Sequence, residues 1–380
     1  MTRKLLGALS PFALFAASCS PSVAGDSPPA AAASAVELEV KQVASFNEPW
    51  AMAILPGVNA ALVTEKSGKL KLVNANGSVV EVAGGPQVDY GGQGGFGDVV
   101  LAPDFAQSGH VYLTWAEAGQ NDTRGAALGR AKLVMGGQPR LEGLEVLWRQ
   151  APKVTGRGHY SHRIAFSPDG KYLFLASGDR QKMDPAQDLT GNLGKVLRLN
   201  LDGTAAAGNP FAAQGGVSAE IWSYGHHNIL GMAFDPQGRL WDLEHGPAGG
   251  DELNLVQPGK NYGWPVVSEG DHYDGKVIPP HSTRPDMAPP ALAWTPVIAP
   301  GNFIFYRGDL FSGWKGQAVI AGLGSQGLVR VALHGDMAHE VARHPLGSRV
   351  RQVNEAADGS LWVLTDRADG KLLRVAPKGK

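Results

Sequence analysis

Polar and apolar residues alternate in short runs along this 380-residue chain, and a glycine turn precedes each of the clearest runs. Alternation at every second position over a few residues is typical of β-strands. The six glycine-led runs are residues 60–63 after Gly57, 111–113 after Gly109, 172–175 after Gly170, 240–241 after Gly238, 318–320 after Gly316 and 361–364 after Gly359. No amphipathic stretch of helical period competes with them, so we predict an all-β protein.

The spacing of these runs predicts the architecture. Successive turn glycines lie 52, 61, 68, 78 and 43 residues apart, about 60 on average, which is too regular for unrelated loops. Repeated glycine-led strand units are typical of a β-propeller whose blades are four-stranded antiparallel sheets. We therefore predict a six-bladed β-propeller over residues 38–380, in preference to a sandwich or a β-helix. A strand near residues 36–43 is expected to complete the last blade.

Composition and charge narrow the function classes. The 51 glycines and 26 prolines are spread evenly, which favours one large turn-rich domain. A formal net charge of −1 gives no field suited to nucleic acid or to an anionic membrane. Beyond the N-terminus, no window of the sequence is long and apolar enough to span a bilayer.

The N-terminus has the pattern of an export signal. Arg3 and Lys4 precede an apolar run at residues 5–15, and three small residues lead into Cys19, the only cysteine. This resembles a bacterial lipoprotein cleavage site, with ordinary cleavage nearby as the alternative. We expect a signal at residues 1–19, a low-complexity linker at residues 20–37, and a periplasmic protein whose membrane contact is an N-terminal lipid anchor.

Candidate chemistry lies just outside the predicted strands. Gln93 stands among four glycines, where its amide could meet a sugar hydroxyl, although a glycine-rich hairpin with Gln93 in solvent is the alternative. The spacing is not that of a phosphate-binding loop. His159 and His162 offer an imidazole base for removing a hydroxyl proton, but either could be structural. A zinc site from these two histidines is a weaker alternative, because no third ligand lies nearby in the sequence.

A second polar stretch suits a hard cation. After the apolar run at residues 240–243 come Glu244, Gly246 and Pro247, then Asp251 and Glu252. Carboxylate oxygens and outward-turned carbonyls are ligands that calcium prefers. A structural turn with a solvated acidic loop is the alternative.

Several separated motifs resemble one family. They are GQGGFGDVVLAPDF at residues 92–105, GHHN at 225–228, EHGPAGGDELN at 244–254, NYGWP at 261–265 and RVR at 349–351. In this order they resemble the soluble sugar dehydrogenases that depend on pyrroloquinoline quinone (PQQ), in particular the aldose sugar dehydrogenases. The resemblance covers the chain after residue 38. It implies oxidation of aldoses at the anomeric carbon, with hydride transfer to the quinone.

The resemblance also assigns roles to residues. His159 is implied as the general base, with Arg163 in register, and Gln93 as the sugar contact. Asn228, Arg349 and Arg351 are implied as quinone contacts, together with the positions of His227, Gly322 and Gly324. Here His227 replaces the family's usual arginine and Gly324 its usual lysine, while Ser161 and His162 replace a glycine and a small residue. The extra imidazole of His162 is expected beside the base, where it would lower the pKa of the base or crowd the pocket.

Calcium is implied at two sets of positions. The carbonyls of Gly246 and Pro247 match those that hold the quinone's calcium in the broader glucose dehydrogenase group. Glu252 and Tyr262 match a further calcium site in the aldose dehydrogenases, which Tyr273 or Asp274 could complete.

The leading hypothesis is therefore an exported sugar dehydrogenase. Because His227 and Gly324 remove two charged contacts to the cofactor, the alternative is a propeller without quinone that binds sugar or acts as an envelope interaction lipoprotein. A calcium-dependent lactone hydrolase is a third, weaker hypothesis. No motif names the sugar or the electron acceptor.

Overall fold

The computed structural model describes residues 36–379. The predicted signal at residues 1–19, with Cys19, and the linker up to residue 35 lie outside the described residues. No helix within residues 36–379 is long and apolar enough to cross a membrane.

The described chain forms six four-stranded antiparallel sheets, the blades of a propeller. After strand β1 (Leu38–Phe46), blade 1 is β2 (Pro49–Ile54), β3 (Ala60–Glu65), β4 (Lys69–Asn74) and β5 (Val79–Val82). Blade 2 is β6 (Phe96–Leu101), β7 (His110–Ala118), β8 (Arg124–Val134) and β9 (Arg140–Arg149). Blade 3 is β10 (Ser161–Phe166), β11 (Tyr172–Ser177), β12 (Lys195–Asn200) and β13 (Ile221–Tyr224).

The second half repeats this arrangement with one insertion. Blade 4 is β14 (Asn228–Phe234), β15 (Leu240–His245), β17 (Asp251–Leu255) and β19 (Leu292–Trp294), and it carries a small ribbon of β16 (Ala248–Gly249) and β18 (Gly270–Asp271). Blade 5 is β20 (Pro300–Phe305), β21 (Ala318–Gly322), β22 (Gly327–His334) and β23 (Met337–Pro345). Blade 6 is β24 (Val350–Glu355), β25 (Leu361–Thr365), β26 (Gly370–Pro377) and β1.

Helices are short connections. The α-helix Phe105–Ser108 follows β6, and the 3₁₀ turns are Asp184–Ala186, Ala212–Gln214, Gly216–Glu220 and His281–Thr283. The prediction of an all-β, six-bladed propeller is therefore confirmed.

The glycine-led runs of the sequence are the second strands of the six blades. Each of their glycines has a φ between 69° and 80°, the left-handed backbone that glycine adopts without steric cost. The first strands β2, β6, β10, β14, β20 and β24 each contact the first strands of the two adjacent blades, so they form the inner ring.

The N-terminal strand closes the ring as predicted. β1 pairs antiparallel with β26 from Leu38 opposite Pro377 to Phe46 opposite Gly370. Blade 6 thus contains both ends of the described chain.

The core fills the spaces between adjacent blades. Leu62 and Leu113 pack in the cluster shared by blades 1 and 2, and Trp241 and Ile320 pack in the cluster shared by blades 4 and 5. All four are fully buried, and such side chains stabilise the fold by roughly 1.5–3 kcal/mol each.

This packing fixes where functional groups can meet. In antiparallel blades the start of each first strand and the end of each second strand lie on the same side of the ring, as Ser161 opposite Ser177 shows in blade 3. The loops that carry the sequence motifs project from this side.

Candidate active site

A cavity of about 360 Å³ opens on the side where the first strands begin. It brings together four residues that the sequence predicted, Gln93, Asn228, Arg349 and Arg351. The other lining residues are Glu48, Trp50, Lys66, Gly92, Tyr160, Ser161, His162, Leu230, His245, Leu323, Asp366, Arg367 and Ala368. Residues more than 250 positions apart in the sequence therefore share one cavity.

His159 is not among the residues that line this cavity, but it adjoins two that are, Gln93 and Tyr160. Its backbone N–H donates to Oε1 of Gln93 at 2.8 Å, and its ring Nδ1 lies 2.8 Å from Oδ1 of Asp179. The His159 side chain remains 16% exposed, whereas that of Asp179 is fully buried. The ring is thus fixed at one nitrogen and open to a ligand at the other.

Asp179 is a functional residue that the sequence reasoning missed. It lies two residues after the end of β11, and other polar motifs also lie just after strand ends. This position was the signal in the sequence that could have identified Asp179. Its second oxygen accepts the indole N–H of Trp264 at 2.8 Å. Burial raises the pKa of Asp179, but hydrogen bonding from His159 and the nearby imidazoles outweigh it and lower the pKa below its ordinary value. Asp179 is therefore the ionised acceptor, and Nδ1 of His159 carries the proton.

The backbone conformation at Ser161, two residues after His159, explains why the family usually has glycine at this position. Ser161 has φ 62°, in the left-handed region that favours glycine. The serine hydroxyl compensates, because Oγ accepts the N–H of Ile229 at 2.9 Å.

His162 is not the second imidazole beside the base, so that expectation is corrected. Its ring stacks on Tyr160 at 5.3 Å and meets Trp50 edge-on at 5.7 Å. Burial, followed by the charges of Arg180 and Arg163, lowers the pKa of His162 to about 3. The imidazole next to His159 is that of His227, with ring centroids 4.5 Å apart.

The arginine pair is held by a carboxylate that the sequence reasoning did not include. Arg349 Nε lies 3.0 Å from one oxygen of Asp366, and Arg351 Nη2 lies 3.0 Å from the other. Both guanidinium groups therefore point to one side, as alternate strand positions predict. With Lys66 and Arg367, four cationic side chains and two carboxylates, those of Glu48 and Asp366, line the cavity. The excess of positive charge suits an anionic ligand.

His227, Gly322 and Gly324 do not line this cavity. The His227 ring packs on Trp264 at 3.9 Å and faces a smaller cavity, and its burial lowers its pKa, so it does not replace the charge of an arginine. Gly322 ends β21 in a tight turn where an added Cβ would lie 1.8 Å from Ser325 Oγ. At Gly324 an added Cβ would lie 2.8 Å from the Ile298 carbonyl oxygen. Gly324 lines an adjoining cavity that shares Arg349 and Asp366 with the first.

The smaller cavity, about 10 Å³, has room for one water-sized ion. Four predicted calcium ligands line it: Gly246, Pro247, Glu252 and Tyr262. A Cβ at Gly246 would lie 2.2 Å from the carbonyl oxygens of Gly249 and Gly250, so only glycine fits this backbone. The structure thus brings the carboxylates of Glu244 and Glu252 and the predicted carbonyl ligands Gly246 and Pro247 to one small space.

Buried carboxylates surround this small cavity. Burial and then the charge of Glu244 raise the pKa of Glu252, and the same two causes raise the pKa of Asp242, both well above the ordinary value. Neither oxygen of Asp242 has a hydrogen-bond partner among the described residues, although His226 Nδ1 lies 3.2 Å from one of them. A bound cation would relieve this excess of buried negative charge.

Tyr273 and Asp274 do not join these ligands. They lie on the exposed turn after β18, where Tyr273 is 84% exposed and Asp274 Oδ1 accepts the N–H of Lys276. The turn carries them into solvent, so the small cavity is lined without them.

Comparisons with known proteins identify the family of this chain. The family described as glucose/sorbosone dehydrogenase matches residues 46–374. Aldose sugar dehydrogenase YliI of Escherichia coli is 39% identical over 355 residues, 92% of this chain and 95% of that protein.

Solved structures give the same picture. The apo-form of the soluble aldose sugar dehydrogenase from Escherichia coli superposes with a TM-score of 0.86 at 37% identity, covering 90% of this chain and 100% of that one. The PQQ-bound aldose sugar dehydrogenase from Streptomyces coelicolor has a TM-score of 0.74 at 28% identity, covering 90% and 98%. The chain therefore belongs to the glucose/sorbosone dehydrogenase family of oxidoreductases.

Proposed function

We propose that this protein oxidises aldose sugars at the anomeric carbon, using PQQ and calcium. The observation that carries the proposal is the convergence of Gln93, Asn228, Arg349 and Arg351 on one cavity, with the His159–Asp179 pair hydrogen-bonded to Gln93 through the His159 backbone. A base, a polar sugar contact and a cationic anion site are the parts that this reaction needs.

The large cavity fits an anionic quinone. Arg349 and Arg351 present two guanidinium groups to one side, and Lys66 adds an ammonium group. Guanidinium groups bind carboxylates through paired, charge-assisted hydrogen bonds. When bound, PQQ supplies the hydride acceptor, while the protein supplies placement and charge.

The small cavity fits calcium. Glu252 provides a carboxylate, and Gly246, Pro247 and Tyr262 line the same space. Oxygen ligands of this kind suit a hard divalent cation, whose charge would offset the buried Glu244 and Glu252.

His159 acts as the general base. Asp179 holds the Nδ1 proton, so Nε2 keeps its lone pair and can accept the proton of the sugar's anomeric hydroxyl. Loss of this proton lets the C1–H bond break with its electron pair, and the aldose becomes a lactone. Because Gln93 Oε1 is used by the His159 backbone, its amide N–H₂ remains for a sugar hydroxyl.

Reconstitution tests the proposal directly. The purified full chain is mixed with PQQ and calcium, and reduction of an electron-accepting dye is followed with a panel of aldoses. We expect dye reduction that requires sugar, quinone and calcium together. Absence of reduction with every aldose, while PQQ binds, would contradict the proposed reaction.

A propeller without quinone that binds sugar is the second candidate. It is favoured by His227, whose burial lowers its pKa and so disfavours a charge there, and by Gly324, which has no side chain to contact a cofactor. Sugar binding without any PQQ binding would support this candidate instead.

Export and tethering complete the proposal. The N-terminal pattern supports a periplasmic protein anchored through a lipid on Cys19. Mass spectrometry of the mature N-terminus tests this, because a diacylated Cys19 would support the anchor and an unmodified N-terminus elsewhere would exclude it.

A further inference from the structure

The second imidazole beside the proposed base creates an arrangement that the proposed reaction does not use. The rings of His159 and His227 meet edge to face, with centroids 4.5 Å apart and planes at 88°. Both rings are held at Nδ1: that of His159 by Asp179 at 2.8 Å, and that of His227 by the carbonyl oxygen of His245 at 2.7 Å.

The anchoring of His227 is the kind that metal-binding histidines have. A metal-ligating imidazole almost always donates its other N–H to a carboxylate or a backbone carbonyl, which fixes the ring and leaves a nitrogen for the ion. His227 has a backbone carbonyl as this partner, so its Nε2 is left for the ion. The backbone also fixes both residues, because the His227 N–H donates to Glu244 at 2.7 Å and the His159 N–H to Gln93 at 2.8 Å.

A third ligand lies within reach. Ligand atoms of His159, Asp179 and His227 all lie within 4.8 Å of one another. Nδ1 of His159 and Oδ1 of Asp179 share one proton at 2.8 Å, and an ion bound by both atoms takes the place of that proton. Two imidazoles and one carboxylate are a ligand set for zinc and neighbouring transition ions, with a further position left for water.

We infer that His159, Asp179 and His227 form a binding site for a transition metal ion such as Zn²⁺. The site depends on a feature particular to this sequence, since His227 occupies the position of the family's usual arginine. It differs from the zinc site considered from the sequence, which used His159 and His162. The His162 ring instead packs against Tyr160 and Trp50, and the ligands proposed beside His159 are His227 and Asp179.

The site is distinct from the proposed calcium site. Calcium prefers oxygen ligands, whereas this set has two nitrogens and one oxygen. His226, Asp242 and Glu244 form the other group of possible metal ligands among the described residues, but all three are buried and belong to the surroundings of the small cavity.

Metal binding has a consequence that rests on the proposed function. An ion bound by His159 and Asp179 displaces the proton that fixes the tautomer of the proposed base, so sugar oxidation stops while the ion is bound. The protein would then be an oxidoreductase inhibited by zinc.

Direct binding tests the site without relying on activity. The purified full chain, without quinone and saturated with calcium, is titrated with Zn²⁺ by calorimetry, and with Co²⁺ by its visible absorption. We expect His227→Asn and His159→Asn each to weaken Zn²⁺ binding at least about tenfold. Loss of an outer-shell partner already weakens metal binding by about this factor, and loss of a ligand should weaken it at least as much. Thermal unfolding of each variant checks that it is folded.

A matched control separates this site from surface histidines. His334 and His339 stack at 4.7 Å on the exposed hairpin of blade 5. The double variant His334→Gln, His339→Gln is expected to bind Zn²⁺ like the wild type. Unchanged binding in both His227→Asn and His159→Asn would overturn the inference, as would loss of binding in the control.

The reconstituted enzyme separates this inference from the proposed function. If the protein oxidises sugars, we expect Zn²⁺ to inhibit at concentrations that match its calorimetric affinity, and a chelator to restore the rate. If no sugar is oxidised under any condition, the proposed function fails, while the calorimetric result still decides the metal site.

Discussion

Nδ1 of His159 lies 2.8 Å from Oδ1 of Asp179, whose other oxygen accepts the indole N–H of Trp264 at 2.8 Å. The carboxylate thus fixes the tautomer and the direction of the imidazole, and the indole fixes the carboxylate. An imidazole held in this way does not have to be reoriented before each proton transfer.

Replacing Asp179 with asparagine tests this arrangement. The amide cannot act as the charged acceptor, so His159 loses its fixed tautomer, and we expect kcat to fall by about 10²-fold or more, in the range for a general base. Steady-state dye reduction measures the change. Asp184→Asn, an exposed acid on the same loop, is the control and is expected to keep the wild-type rate. An Asp179→Asn rate within threefold of wild type would contradict the role.

The arginine pair is expected to set cofactor affinity. Arg351→Gln removes one charge-assisted contact worth roughly 1.5–3 kcal/mol, so we expect PQQ to bind about 10- to 100-fold more weakly. Fluorescence titration of the apoprotein with PQQ measures this. Arg374→Gln removes a guanidinium that pairs with Asp358 at the surface, and its PQQ affinity should equal that of wild type. Equal affinities for both variants would exclude Arg351 as a cofactor contact.

Calcium is expected to stabilise the protein through Glu252. A ligand at about 100 times its dissociation constant stabilises the folded state by about 2.7 kcal/mol, so calcium should raise Tm measurably. We expect Glu252→Gln to lose most of this rise, as measured by thermal unfolding with and without calcium. Asp274→Asn, on the exposed turn, should keep the full response. A loss in Asp274→Asn instead would show that the turn closes over the ion.

His162 is expected to make the fold sensitive to acid. Its pKa is about 3 when folded, against an ordinary value of 6.5. Between these values the unfolded chain binds one more proton than the folded chain, so the free energy of unfolding falls as the pH falls, by up to about 1.4 kcal/mol per pH unit. Urea unfolding of His162→Phe at several pH values should show a shallower decline. His334→Phe, at an exposed position, should keep the wild-type slope, and identical slopes in all three proteins would contradict this assignment.

The fold could be predicted because its signals are local. Each glycine before a second strand, such as Gly170, marks a turn that only a left-handed backbone makes, and the strand after it shows the alternating pattern. Six such units imply six blades whatever the loops contain. The same local signals did not foresee the ribbon formed by Ala248–Gly249 and Gly270–Asp271, whose two strands are too short for a pattern.

The site could be predicted only in part, because its remaining contacts form between two loops of one blade and leave no motif in the sequence. Gln93, Asn228, Arg349 and Arg351 stand in recognisable motifs. Asp179 and Asp366 are ordinary acids in the sequence, and each meets its partner, His159 or Arg349, only when the first two strands of its own blade pair.

Histidine neighbours were the least predictable feature. The chain places His162 three residues after His159, yet that ring turns to Tyr160 and Trp50 instead. His227, from the next blade, takes the adjacent place. The packing of the inner ring, and not distance along the sequence, determines which imidazole lies beside His159.

The pairing of Leu38–Phe46 with Gly370–Pro377 has a consequence for biogenesis. The sixth sheet joins the earliest and latest strands of the propeller, so it cannot form until Gly370–Pro377 has been synthesised. Until that moment Leu38–Phe46 has no strand to pair with and leaves its edge open to wrong partners. A cell that makes this protein must therefore protect an incomplete propeller from aggregation until its first and last strands pair.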